Sequence, residues 1–288
     1  MSFDNAYEAI TEENDARWAF GTGFTDPLAG VDRSVPSGVD VADLELYCLM
    51  LGDDALVFSH RLQEWCTRAP ELEDEVAIAN IALDLLGQAR LLLARAGQRS
   101  EDAYAFFRPE HEFRNVRLAE LPRGDFGELV ARLLVFSTWR LALLHRLVES
   151  RDPVLSAIGL KGVKEITYHR DYAAQWTVRL GDGTAYSRQR MRAGLATVWP
   201  YVGELFVPND VELRLAAAGV AVDPATVRAE FDDVIGQVLR AATVEVPDVP
   251  ANPGVSGRFG RDGVHTEAMG YLLAELQSVA RAHPEATW

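Results

Sequence analysis

ELEDEVAIANIALDLLGQARLLLARA, residues 71–96, is the stretch whose reading decides the fold. Its first turn is acidic, Arg90 and Arg95 stand toward its end, and Gly97 follows. That order matches the polarity of a helix dipole and its usual stop. Working outward, residues 41–66 place Leu44, Cys48, Leu51, Ala55, Phe58 and Leu62 at spacings of three and four, which is one helical face. Ala69-Pro70 separates the two segments. Further helices are expected over 126–149 and 153–180, divided by Arg151-Asp152-Pro153. Three more are expected over 186–205, with a break at Pro200, over 224–243, and over 265–283. Residues 246–262 are rich in Pro and Gly and read as loop. No alternating runs with hairpin signals occur, so nothing reads as a sheet.

Four segments of roughly 24 residues make helices ~36 Å long at 1.5 Å per residue. Two pairs have tight joints, which makes antiparallel neighbours, and a long link through Phe106, Phe107, Pro109 and Pro122 joins the pairs. Helix pair, long link, helix pair is the order of a ferritin-like bundle. The expected class is therefore all-α, a ferritin-like four-helix bundle with additional C-terminal helices over 41–288. Residues 1–40 (Gly-, Asp-, Ser- and Pro-rich over 21–40) read as an N-terminal arm, with a short helix near Tyr7–Phe20 and Trp18, Phe20 and Phe24 as docking aromatics.

Composition narrows the partners. The 288 residues carry 28 Lys+Arg against 43 Asp+Glu, a formal charge of −15. A chain so acidic is a poor binder of nucleic acid or of an anionic membrane surface. Cys48 and Cys66, both placed on the first helix, cannot bridge within it, and no Cys/His cluster suggests zinc. The start lacks a basic and then apolar signal segment, and no apolar run approaches the ~20 residues of a membrane span. The expectation is a cytoplasmic protein with neither a nucleic-acid nor a membrane partner.

A ferritin-like bundle raises the question of a di-iron centre, whose members carry a Glu on one helix of each pair and Glu-x-x-His on the other. The second helix has no His. Its stripe at spacing four is Asn80, Asp84 and Gln88. The fourth has Lys161, Lys164, Glu165 and His169, with Ile166 three residues before the His. The first offers Asp53, Asp54 and Glu64, and the third Ser137, Arg140, His145 and Glu149. The expectation is a buried polar stripe of Asn80, Asp84, Gln88, Lys161 and Lys164, with an Asp84–Lys pair in the space that metals would hold. The rival reading is a self-sufficient di-iron oxygenase, which needs Asp53 or Asp54, Asp84, Glu149, Glu165 and His169 to converge.

Several blocks together resemble the PaaC-type subunits of bacterial phenylacetyl-CoA epoxidase. They are LGDDALVFSHRLQEWCTRAPELEDEVAIANIALDLLGQAR (51–90), LVESRDPVLSAIGLKGVKEITYHRDYAAQW (147–176), RLGDGT (179–184), GVAVDP (219–224), GVHTEAMGYLLAELQ (263–277) and the terminal Trp288. The resemblance covers about 42–288 and leaves residues 1–40 outside. It implies a ferritin-like subunit that lacks the iron ligands and pairs with a di-iron catalytic PaaA-type subunit, which places one oxygen atom of O₂ across the aromatic ring. Laid against the catalytic Glu-x-x-His motifs, Leu85 and Gln88 stand at the first pair and Ile166 and His169 at the second, so these are the vestigial metal positions. No catalytic residue, metal or cofactor is assigned to this chain. Self-association stays open beside the hetero-oligomer.

Other features receive plainer readings. The first two long helices are expected to offer the partner a face. PELEDE (70–75) reads as a solvated acidic helix start, and Trp65, Trp139, Trp176 and Trp199 read as core. Arg188, Arg190 and Arg192 read as a solvated face rather than a CoA-phosphate site. His265 reads as a residue at a helix start, with Thr266 or Asp262 as its cap.

Overall fold

The computed structural model describes residues 28–286, and among them there is no strand. These residues form ten α-helices: α1 Val41–Gln63, α2 Leu72–Ala96, α3 Glu101–Phe106, α4 Arg117–Glu120, α5 Phe126–Leu147, α6 Pro153–Gly181, α7 Ala185–Val198, α8 Asp210–Ala217, α9 Arg228–Ala241 and α10 Glu267–Ala282. The fold is all-α and ferritin-like. α1 and α2 form one antiparallel hairpin, α5 and α6 the other, and residues 97–125 cross between them.

Local chemistry sets the boundaries. Asp40, Asp125 and Asp152 cap α1, α5 and α6 by accepting from backbone N–H groups at 2.8–3.1 Å, and Pro153 follows Asp152 where its missing N–H costs nothing. α2 stops at Gly97, which takes a left-handed φ of 82°. The expected helix over 186–205 ends at Val198. Pro200 cannot continue the ladder, and the chain tightens into 3₁₀ turns at Trp199–Tyr201 and Gly203–Phe206. The expected start at Pro224 is likewise a 3₁₀ turn, Pro224–Val227, before α9.

Three short helices, α3, α4 and α8, go beyond the sequence expectation, because four to eight residues show no periodicity. The Ser100 cap in front of α3 and the Asn209/Glu212 capping box in front of α8 are their local marks. Cys66 lies in the turn beyond α1, exposed, while Cys48 is buried within it.

The core is continuous. Phe58 of α1 packs against Phe136 of α5 with ring centroids 4.5 Å apart and planes tilted by 54°, and Trp139 extends that group. Trp65, Phe126 and Trp176 form a second aromatic group. Trp65 and Trp139 are buried, whereas Trp176 and Trp199 are half-buried. Outside the bundle, α7 crosses α5 very closely: a Cβ on Gly194 would lie 2.6 Å from the backbone of Gly127, so the crossing requires glycine.

Residues 28–40 belong to the folded body rather than to an arm. Leu28 is buried, Val31 and Val39 pack on the core, and Arg95 donates to the Arg33 carbonyl at 2.6 Å and the Ser34 carbonyl at 3.2 Å. The helix expected near Tyr7–Phe20, and Trp18, Phe20 and Phe24, lie outside the described residues.

One helix departs from the expectation that no apolar run is long enough for a membrane. By length and composition α2 is apolar enough to cross one; here one face packs on α1 and the rest carries an exposed stripe.

Candidate functional site

Residues one turn apart share a helix face. Asp84 and Gln88 of α2 therefore point the same way, as do Lys161, Glu165 and His169 of α6. The two rows meet. Gln88 Nε2 donates to Glu165 Oε2 at 2.9 Å, and Asp84 Oδ2 accepts from His169 Nε2 at 3.0 Å. From α5, Arg140 Nε donates to Gln88 Oε1 at 2.9 Å, and its Nη1 donates to the Leu51 carbonyl of α1 at 3.3 Å. One polar chain, Leu51–Arg140–Gln88–Glu165, thus ties all four long helices together. Burial pulls the guanidinium of Arg140 down to about 10, against the attraction of the Asp54 carboxylate.

The expected stripe is corrected by this geometry. Asn80 and Lys164 are exposed; Lys164 stands one residue before Glu165, and so about 100° around the helix from it. Asp84 is half-buried and pairs with His169 rather than with a lysine. Lys161 is also half-buried and pairs with Glu165, four residues along its own helix. The cation at the centre is Arg140. Leu85 and Ile166, two of the four vestigial positions, are fully buried apolar core residues, and Gln88 and His169 are the polar two.

Asp53 and Asp54 of α1 make no hydrogen bond to this chain of contacts and are taken by arginines. Asp53 receives both terminal nitrogens of Arg108 and the backbone N–H of Arg114 at 2.8 Å. Burial still pushes its carboxyl above the usual range, with Arg108 opposing. Asp54 is held bidentately by Arg261 at 2.9 and 2.8 Å and accepts from Val116 N–H at 2.8 Å. Glu149 is exposed in the turn after α5. The donors that a self-sufficient di-iron centre needs therefore do not converge. Among the described residues no three His, Cys, Asp or Glu side chains form a metal-binding group. The residues at the bundle centre do not fit a di-iron site.

The link and the C-terminal segment close over α1 through buried polar contacts. Glu120 accepts from Asn115 Nδ2 at 2.8 Å, from His265 Nδ1 at 2.7 Å and from the Thr266 backbone N–H. The cap of α10 is thus Glu120 from another segment; the Thr266 side chain makes no cap bond. Burial disfavours the imidazolium of His265, yet the Glu120 contact outweighs it and raises the group above its ordinary value. Arg117 Nε pairs with Glu204 at 2.7 Å, and Glu204 also accepts from Gly260 N–H at 3.1 Å. Burial pushes the Glu204 carboxyl up, with Arg117 opposing.

The remaining expectations divide. In PELEDE, Glu71 and Glu73 are solvated, but Asp74 is buried and accepts from Tyr172 at 2.8 Å and Trp176 at 2.9 Å. Arg188, Arg190 and Arg192 each engage their own chain, at the Gly181 carbonyl, Asp125 and Glu245. Of the two helices expected to face a partner, α1 is covered by the chain itself. α2 leaves Leu72, Val76 and Leu83 exposed, and Leu160 and Tyr168 of α6 are exposed as well.

A family model described as "Phenylacetic acid catabolic protein" (PaaA_PaaC) matches residues 35–288. The chain belongs to this family. Within it, the chain is 43% identical over 249 residues to the C subunit of 1,2-phenylacetyl-CoA epoxidase from Escherichia coli (strain K12). That match covers 85% of this chain and 99% of the relative.

Proposed function

We propose that this family member is a non-catalytic, structural subunit of a multicomponent phenylacetyl-CoA epoxidase. It pairs with a PaaA-type catalytic subunit that holds the di-iron centre, and it carries no cofactor itself. The observation behind this reading is the Leu51–Arg140–Gln88–Glu165 chain of contacts. A guanidinium and an amide bind the four helices where a carboxylate and imidazole set would have to stand, and a cation at that spot repels metal ions. The net charge of −15 makes the chain a poor host for an anionic CoA thioester, so the substrate is assigned to the partner. A cytoplasmic location goes with this role.

The test is co-expression of the tagged chain with the catalytic subunit, followed by purification and measurement of phenylacetyl-CoA-dependent O₂ consumption. The expected result is a stoichiometric complex that turns over and an isolated chain that does not. Turnover by the isolated chain, or failure to co-purify, contradicts the reading.

A further inference from the structure

Helix α2 is apolar on two sides. Ile78, Leu85 and Leu92 are buried against the rest of the bundle. On the other side Leu72, Val76, Ala79, Leu83 and Leu86 follow one another at spacings of four, three, four and three, the repeat of a seam between two helices. At about 100° per residue Leu85 lies about 200° round the helix from Leu83, so the seam looks away from the core. Leu72, Val76 and Leu83 are 71%, 53% and 57% exposed. A contiguous apolar row of this kind marks a contact with another protein. From Leu72 to Leu86 it is roughly 21 Å long, which fits the side of a helix.

The charges beside the seam are sorted by end. Glu71 and Glu73 are exposed at the start of α2, and Arg90 is exposed near its finish. Gln88 meets Glu165 and Asp84 meets His169, so α6 runs antiparallel beside α2 and brings the exposed Lys164 to the same end as Arg90. A face with an acidic end, an apolar middle and a basic end is complementary to itself when turned end for end. That is the isologous contact of a two-fold dimer. A two-fold axis crossing α2 at Ala79 sets Val76 against Leu83 of the other copy and Leu72 against Leu86. Ala79 then meets its own counterpart, and its small side chain lets the helices come close. The same operation keeps α6 on one flank in both copies and carries Glu73 toward Lys164 of the other. A parallel pairing would instead set acid on acid and base on base, which is repulsive.

We propose that a second copy of this chain covers the α2 seam, the two helices packing antiparallel about a two-fold axis at Ala79. The proposal stands independently of the epoxidase role. Pairing follows mass action, so the stripe is open in a dilute chain and covered in a concentrated one. In sedimentation of the full chain from about 1 to 200 μM, the mass should rise from 31.8 kDa toward twice that value. Leu83→Glu, which places a charge in the apolar seam, should raise the dissociation constant about a hundredfold. Glu73→Lys should raise it roughly tenfold through two symmetry-related contacts, and adding Lys164→Glu should restore it. Cys48 is buried and Cys66 exposed, so Ala79→Cys is made together with Cys66→Ser. A short bismaleimide should then join two copies through position 79. It should not join them through Leu213→Cys, which is exposed on α8. The position-79 link should persist in the co-purified complex with the catalytic subunit. Three results overturn the proposal: a mass of one chain at every concentration, a Leu83→Glu chain that pairs as before, or a position-79 link to the catalytic subunit.

Discussion

Helices α1 and α2 form one hairpin, yet they meet different surroundings. Sixteen of the 23 residues of α1 are buried, against ten of the 25 in α2. The second hairpin repeats the split, with eighteen of 22 in α5 and ten of 29 in α6. The covered helix α1 is locked by buried ion pairs to segments far away in sequence. The open helices meet through a series of amide, carboxylate and imidazole groups and expose an apolar stripe. A carboxylate on α1 is therefore an anchor for the segments that cover it. The carboxylates between α2 and α6 hold the two hairpins together.

This difference can be broken most severely on the covered side. Arg261→Ala leaves the Asp54 carboxylate buried without its cation, and the expected loss is about 3–5 kcal/mol in urea unfolding. A loss below about 1 kcal/mol would show that Asp54 is no anchor. Next comes Gly194→Leu, which drives side-chain atoms into the Gly127 backbone and should cost about 1–3 kcal/mol through overpacking. Unchanged thermal unfolding would contradict the close crossing.

At the boundary between the two sides, Arg140→Met strips Gln88 Oε1 and the Leu51 carbonyl of a buried donor, worth about 1–3 kcal/mol. Calorimetry reads it, and a neutral result would remove Arg140 from the centre. His265 gives a gentler, pH-dependent effect. Its pKa is raised above 6.5 on folding, so its contribution is complete below that value and is lost as pH rises through the folded pKa. His265→Gln should flatten the fall in stability as pH rises above 6.5, and an unaltered slope would mean that another group is responsible. Smallest of all, Leu72→Ser on the open stripe should change stability of the isolated chain by no more than ~0.5 kcal/mol. A larger loss, read by the same urea unfolding, would mean that the stripe is covered in the isolated chain.

The long helices are legible in the sequence because their signals are local: the spacing of three and four from Leu44 to Leu62, Arg90 and Arg95 before Gly97 as a stop, and Pro70 and Pro153 at the joints. The absence of histidine from α2 is legible for the same reason. The partners of the polar residues are not. Asp54 meets Arg261 across 207 positions and Asp53 meets Arg108 across 55, and no periodicity encodes such distances. Helical spacing places His169 at the bundle centre, but its contact with Asp84 depends on how α6 is rotated against α2. That rotation is also what sends Lys164 and Asn80 to solvent.

The account's central claim is that Arg140, Gln88 and Glu165 join the four helices in place of metal ligands. The most direct test is iron counted on the isolated chain, expressed with excess iron, beside iron counted on its complex with the catalytic subunit. The account predicts no stoichiometric iron on the chain and all of it on the partner. Two irons bound per isolated chain would contradict it.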